Sequence, residues 1–148
     1  MSEATTAASV QAKGPSSSPL VCRLRPKEGI GPRGPVPNMG EVELENCSGT
    51  PLEIEYTMTP LQFLELEVIG PGGGVVSEGH FSDRFSPMLE PGVLRLLPGE
   101  KFTSNLSLLA TVSRDKRVPG RYTVQASYRF QGKSILAEPL TVELASGA

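Results

Sequence analysis

The sequence predicts an all-β protein, an antiparallel β-sandwich of about 7–9 strands. Three observations carry this. The stretch PGRYTVQASYRF, Pro119 to Phe130, alternates without a break after its Pro-Gly turn. Tyr122, Val124, Ala126, Tyr128 and Phe130 fall on one face, and Arg121, Thr123, Gln125, Ser127 and Arg129 on the other. Period two with a polar far side is a half-buried strand. Second, further short runs of this kind recur at a spacing of roughly 10 residues with turn residues between them. Third, the 148 residues include 16 Gly and 14 Pro and only 38% hydrophobic residues, so much of the chain is turn and loop.

Taken in order, residues 1–18 are rich in Ala, Ser and Thr with almost nothing to bury. They read as a disordered tail, and residues 19–148 as the folded domain. Leu20 to Leu24 is a short first strand. Lys27 to Gly40 holds several Pro and Gly, and because Pro lacks the ladder N–H it reads as a loop or an irregular edge. Glu41 to Asn46 alternates, with Val42 and Leu44 inward and Glu41, Glu43 and Glu45 outward. Ser48-Gly49-Thr50-Pro51 is a turn. Leu52 to Met58 follows, with Leu52, Ile54, Tyr56 and Met58 inward. Phe63 to Ile69 places Leu64, Leu66 and Val68 opposite Glu65 and Glu67. Leu and Glu favour helix, but strict alternation between Pro60 and Gly70 makes this run a strand.

Gly70 to Gly92 is the longest irregular stretch, with Val75-Val76 as a short return strand after a Pro71–Gly74 tip. Val93 to Leu97, Pro98-Gly99 and Phe102 to Val112 form a hairpin signature, with Phe102, Ser104, Leu106, Leu108, Ala110 and Val112 on one face. Ser113 to Val118 is a charged connection. After Phe130, Gln131-Gly132-Lys133 turns the chain, and Ile135 to Leu144 returns with Leu140, Val142 and Leu144 on one face.

The segments ENCSGTPLEIEY, LLPGEKF and VPGRYTVQASY, in this order and spacing, resemble the core pattern of bacterial immunoglobulin-like domains. The nearest is the BsuPI-type intracellular proteinase inhibitor domain. In that pattern an Asn-x-Ser turn joins two strands, a Pro-Gly-Glu turn opens a later one, and Pro-Gly-x-Tyr starts the penultimate strand. The likeness spans residues from about 41 to 144. The Trp that the pattern places after the Pro-Gly-Glu strand is absent. The resemblance implies an immunoglobulin-like sandwich, with Tyr122 placed like a tyrosine corner. It also implies, by analogy, an intracellular protease inhibitor presenting one loop.

Composition narrows the functional classes. A net charge of −2 gives no general attraction to nucleic acid or anionic membrane. No apolar run approaches the roughly 20 residues of a membrane helix. The N-terminus lacks the apolar core of a secretory signal, so the expected location is the cytoplasm. Without a secretory route, the sequons at Asn46-Cys47-Ser48 and Asn105-Leu106-Ser107 are chance matches. Cys22 and Cys47 are expected as unbridged thiols, although pairing of 20–25 with 42–47 that set position 22 opposite 47 would allow a disulfide. Two Cys and His80 fall short of the four ligands of a structural zinc site. Gly70 to Gly74 is not a phosphate loop, since neither GK[ST] nor a helix follows. No cofactor is expected.

Charge is segregated along the chain. Gly34 to Asp83 carries Glu41, Glu43, Glu45, Glu53, Glu55, Glu65, Glu67, Glu78 and Asp83 without a Lys or Arg. Lys101 to Lys133 carries Lys101, Arg114, Lys116, Arg117, Arg121, Arg129 and Lys133 against the single acid Asp115. In immunoglobulin-like order, Glu53 and Glu55 would face Arg121 or Arg129 across the ladder. Alternatively, Glu43, Glu45, Glu65 and Glu67 form an acidic face for a basic partner. Arg114-Asp115-Lys116-Arg117 is a basic loop tip, either a solvated turn or a contact for an acidic partner. His80, Asp83 and Arg84 lack an assignable nucleophile. Phe81, Phe85, Met88 and Leu89 either cap an open end of the sandwich or form a partner-binding patch. The expected function is a non-enzymatic protein-interaction or assembly module. Its candidate contacts are Phe81, Phe85, Met88, Leu89, Arg114, Lys116 and Arg117, and a sheet edge could pair two copies.

Overall fold

In the computed structural model, residues 18–27, 29–31, 34–36 and 38–144 are described. The tail expected over 1–18 lies outside them apart from Ser18. Antiparallel strands dominate, as the alternation predicts, with three short 3-10 turns and no α-helix among the described residues. β1 (Leu20–Pro26) pairs with β4 (Met39–Asn46), which pairs with β8 (Lys101–Ser107). β9 (Gly120–Phe130) is the centre of a second sheet. It carries β6 (Leu64–Ile69) on one edge and β10 (Lys133–Leu136) with β11 (Leu140–Leu144) on the other. β5 (Leu52–Tyr56) pairs only with β7 (Gly92–Leu96), and β2 (Gly29–Gly31) with β3 (Gly34–Val36). The loop expected over Lys27–Gly40 therefore contains a small ladder, closed at its base by Lys27 N–H donating to the Met39 carbonyl (3.0 Å).

The inward sets of both sheets merge into one core. Val42 and Leu44 of β4, Leu64, Leu66 and Val68 of β6, and Tyr122, Val124, Ala126, Tyr128 and Phe130 of β9 are all buried. The Tyr122 hydroxyl donates to the Val118 carbonyl four residues back, the bond expected of a tyrosine corner. The Tyr128 hydroxyl donates to the Pro60 carbonyl (2.6 Å). Both hydroxyls are thus satisfied while their rings fill the core.

The eleven strand segments among the described residues exceed the expected number because β2 and β3 are added and the last expected strand is divided into β10 and β11. The hairpin expected of Val93–Leu97 and Phe102–Val112 does not form: β7 and β8 are one run interrupted by Pro98-Gly99-Glu100, and it pairs with β5 and β4, one run interrupted by the Asn46-Cys47-Ser48 corner. The two interruptions lie side by side: Asn46 N–H donates to the Glu100 carbonyl (3.0 Å), and Gly99 N–H to the Asn46 carbonyl (2.9 Å). β10 and β11 are likewise one strand with a bulge. Leu136 pairs with Ser127 and Leu140 with Val124, so the returning chain has one residue more than β9 between those pairs. Pro139, with no N–H to offer, sits in that break, and Gln125 Nε2 donates to the Ala137 carbonyl (2.6 Å) there.

Four further expectations need correction. First, β8 stops at Ser107, and residues 108–112 form a buried turn in which Leu108 and Leu109 are both inside. Leu108 N–H still bonds in register to the Asn38 carbonyl (2.6 Å), but Ala110 N–H then turns back to the Ser107 carbonyl (3.1 Å) and Val112 N–H to the Leu109 carbonyl (3.0 Å), so period two ends there. Second, Glu53 faces Arg95 across the β5–β7 ladder (3.4 Å) and Glu55 faces Val93, because β6, not β5, lies beside β9. Arg121 pairs instead with Glu143 (2.8 Å). Third, Cys22 lies opposite Leu44, so the register that would set it against Cys47 does not occur. Cys22 is buried, Cys47 is exposed, and both are unbridged. Fourth, Glu43 and Glu45 lie on a different sheet from Glu65 and Glu67, so the four make no common acidic face. Glu43 is only 3% exposed although it points outward. Arg23 (2.8 Å) and Arg25 (2.8 Å) of β1 close over it, and Arg23 also holds Glu45 (2.6 Å).

Candidate interaction surface

The long segment after β6 folds back in stages. Gly70 N–H donates to the Gly74 carbonyl (2.9 Å) and Val76 N–H to the Val68 carbonyl (2.9 Å), so Val75-Val76 returns as expected. The chain then bridges to the buried turn: Ser77 pairs with Val112, and Glu78 N–H donates to the Thr111 carbonyl (2.8 Å). Next comes the 3-10 turn Phe81–Arg84, opened by His80 N–H donating to Asp83 Oδ2 (2.9 Å).

This arrangement divides the four apolar loop residues. Phe81 is in the core at 4% exposure, and Phe85 packs edge-on against it at 5.4 Å between centroids. These two pack on the core and are not free for a partner. Met88 and Leu89 point outward. Met88 N–H is anchored to the Thr57 carbonyl (2.7 Å), while its side chain is 46% exposed and Leu89 is fully exposed. On β7, Val93 at 53% and, just beyond it, Leu97 at 44% extend the run of exposed apolar side chains. Sequence reasoning passed over this pair. Their signal was the outward position of Arg95 midway between them, since i and i+2 share a face.

The basic tip sorts in the same way. Arg117 Nε donates to the Val112 carbonyl (2.9 Å) and its Nη2 to the Leu109 carbonyl (2.9 Å). Arg84 donates to the Ala110 carbonyl from the other side. Two guanidinium groups thus satisfy carbonyls of the buried turn, where strand pairing has ended. Lys116 pairs with Glu78, whose hydrogen bond raises the ammonium pKa above its usual range. Arg114 makes no ion pair among the described residues and is exposed.

The loops at 70–92 and 113–118 therefore meet. Between them lies a cleft of about 360 Å³ lined by Glu78, His80, Asp83, Arg84, Arg114 and Arg117, among others. The His80 ring nitrogen Nδ1 is 3.1 Å from Glu65 Oε2, and both side chains are largely exposed. No Ser or Cys side chain hydrogen-bonds His80 among the described residues, so a nucleophile–base pair is not assembled there. No group of three His, Cys, Asp or Glu residues suited to a metal ion occurs among the described residues. No helix among them is long and apolar enough to cross a membrane.

Neither the models of known protein families nor the curated proteins show a match to this chain.

Proposed function

We propose that this chain is a non-enzymatic protein-interaction or assembly module on an immunoglobulin-like sandwich, working in the cytoplasm. The observation that carries the reading is the succession Met88, Leu89, Val93 and Leu97. Met88 and Leu89 stand exposed just before β7, where Met88 N–H is bonded to the Thr57 carbonyl, and Val93 and Leu97 continue the exposed apolar run along β7 and just past it. Exposing several large apolar groups together costs solvation free energy that contact with a partner recovers. Arg114 and the Lys116–Glu78 pair at the cleft offer polar groups to a partner as well.

Affinity capture of the tagged chain from its own cell lysate, at low and moderately high salt, tests this. One stoichiometric partner, retained at high salt and lost with Met88→Ser/Leu89→Ser, is the expected result. Loss of that partner at high salt would shift the contact to the charged groups. Recovery of no partner would count against the module.

A second reading has its own observation. Leu89 sits fully exposed between Pro87 and Pro91, a stiffened loop with an apolar tip of the kind a protease inhibitor presents. Inhibition of a panel of bacterial proteases by the purified chain, abolished by Leu89→Gly, would bring this reading forward.

A further inference from the structure

We infer that the slot between β5 and the end of β9 accepts an extended segment of a partner protein as an added β-strand, with a basic side chain facing Glu55. This deepens the interaction-module reading and rests on it.

The slot, of about 330 Å³, is lined on one side by the consecutive residues Glu53, Ile54 and Glu55, and on the other by Arg129, Phe130, Gln131 and Gly132. Both walls are therefore runs of consecutive residues, one from β5 and one from the end of β9 and its turn. β5 pairs on one edge only, with β7. β9 pairs with β6 only as far as Tyr128 opposite Leu64; beyond that point the 3-10 turn Pro60–Phe63 carries the chain away. The remainder of that β9 edge is unpaired among the described residues. In an antiparallel ladder alternate residues aim their N–H and C=O groups away from the partner strand. Outside their own ladders, the backbones of 53–55 and 129–132 make no other hydrogen bond among the described residues. Two unpaired strand edges thus border one slot, the situation in which an extended peptide adds by main-chain hydrogen bonds.

The lining describes the occupant. Ile54 and Phe130 are 4% and 7% exposed, and Phe63 lies beside them as a half-buried ring, so the floor is apolar. Glu53, Glu55 and Arg129 are exposed. Glu53 is already engaged by Arg95, whereas Glu55 and Arg129 form no ion pair among the described residues. An incoming strand presents alternate side chains to floor and solvent. It matches this site with small apolar residues inward and charged residues outward, a Lys or Arg toward Glu55 and an acid toward Arg129. Three residues of β5 line the slot, so about 10 Å of strand is engaged at ~3.3 Å per residue.

The probe is a phage-displayed library of linear heptapeptides selected on the full chain, followed by synthesis of the enriched peptide and amide chemical-shift mapping. The expected result is an alternating apolar–charged consensus whose binding shifts amides at 53–55 and 129–132. N-methylation of alternate peptide residues, which removes ladder donors without touching the protein, weakens binding by about tenfold or more. Glu55→Arg, an exposed change, reverses the charge selected opposite it. Binding insensitive to N-methylation, or no enriched peptide, overturns the inference. So does mapping to Met88 and Leu89 instead, which would leave the interaction-module reading standing.

Discussion

Asn46 donates from Nδ2 to the Leu96 carbonyl at 2.8 Å, across the point where two long strands break together. The same group donates to the Thr50 carbonyl (2.8 Å), and Oδ1 accepts from Ser48 N–H (2.8 Å) and the Ser48 hydroxyl (2.7 Å). With its backbone bonded to Glu100 and Gly99, this fully buried side chain has every polar group satisfied. Replacing Asn46 by Ala removes the side-chain donor from the buried Leu96 carbonyl and leaves a cavity at a fully buried position, and is expected to cost about 2–4 kcal/mol. Asn46→Asp, which keeps the acceptor and loses the donors, is expected to be no better. Urea unfolding of the three proteins decides. A change within about 0.5 kcal/mol for Asn46→Ala would show that the corner is held by other contacts.

Glu43 makes stability depend on acid. Burial alone would raise its carboxyl pKa, but the hydrogen bonds and charges of Arg25 and Arg23 outweigh this and hold it below the usual 4.5. A carboxylate whose folded-state pKa is depressed contributes stability in full above 4.5 and loses it as pH falls through the lower folded-state value. Urea midpoints measured from about pH 7 down to about pH 2 are expected to fall across that window. The fall should be shallower in Glu43→Gln, which starts from a lower midpoint at neutral pH. Parallel curves for the two proteins would exclude Glu43 as a source of the acid sensitivity.

The two thiols are expected to differ sharply in reactivity. Burial pushes the Cys22 thiol up to about 12 and hides it within the core. Cys47 is exposed, though partial burial and then Glu45 raise its thiol too, which slows it. Native alkylation followed by peptide mass mapping should label Cys47 slowly and leave Cys22 unmodified; in urea both should react. Early labelling of Cys22 in the native protein would contradict the β1–β4 register.

The β9–β10 turn holds a small reserve of stability. Gln131 has φ +53° and Gly132 φ +78°, between the closing pair Phe130 and Lys133. Two positive φ values are the signature of the hairpin turn that favours Asn-Gly. Gln is a poor residue for that first position, so Gln131→Asn is expected to stabilise by about 0.5–1 kcal/mol, read as a rise in melting temperature. Gly132→Ala should lower it.

The arginines of the basic tip should separate by role. Arg117→Ala removes donors from the Val112 and Leu109 carbonyls and is expected to cost about 1–3 kcal/mol. Arg114→Ala, at an exposed position without an ion pair, should stay within about 0.5 kcal/mol. Equal losses in chemical denaturation would mean that the carbonyl bonds of Arg117 contribute nothing to stability.

The candidate surface was legible only in part. Phe81, Phe85, Met88 and Leu89 stood out as apolar residues in a loop, but local pattern could not divide them. What separates them is that the Phe81–Arg84 turn docks on the core and Met88 is tethered to Thr57. Arg117 carried no local mark of its task either, because the carbonyls it satisfies belong to a turn that the alternation of 102–112 had disguised as strand.

What the sequence alone determined is the inside and outside of most strands. In β6 and β9 period-two alternation assigns nearly every side chain correctly, because backbone geometry sends successive side chains to opposite faces whatever lies alongside. The Gln131-Gly132 turn was likewise readable from its own residues, whereas Pro98-Gly99, read as a hairpin turn, joins two strands that pair elsewhere. Only the tertiary structure decided which edges meet. Glu53 found Arg95 and not Arg129, Cys22 found Leu44, and Glu43 disappeared beneath two arginines. Alternation is identical for every strand that shares it, so it carries no information about partner or register. Those follow from how the whole set of apolar faces closes over one core, and with them follows the place where two strand edges are left facing a slot.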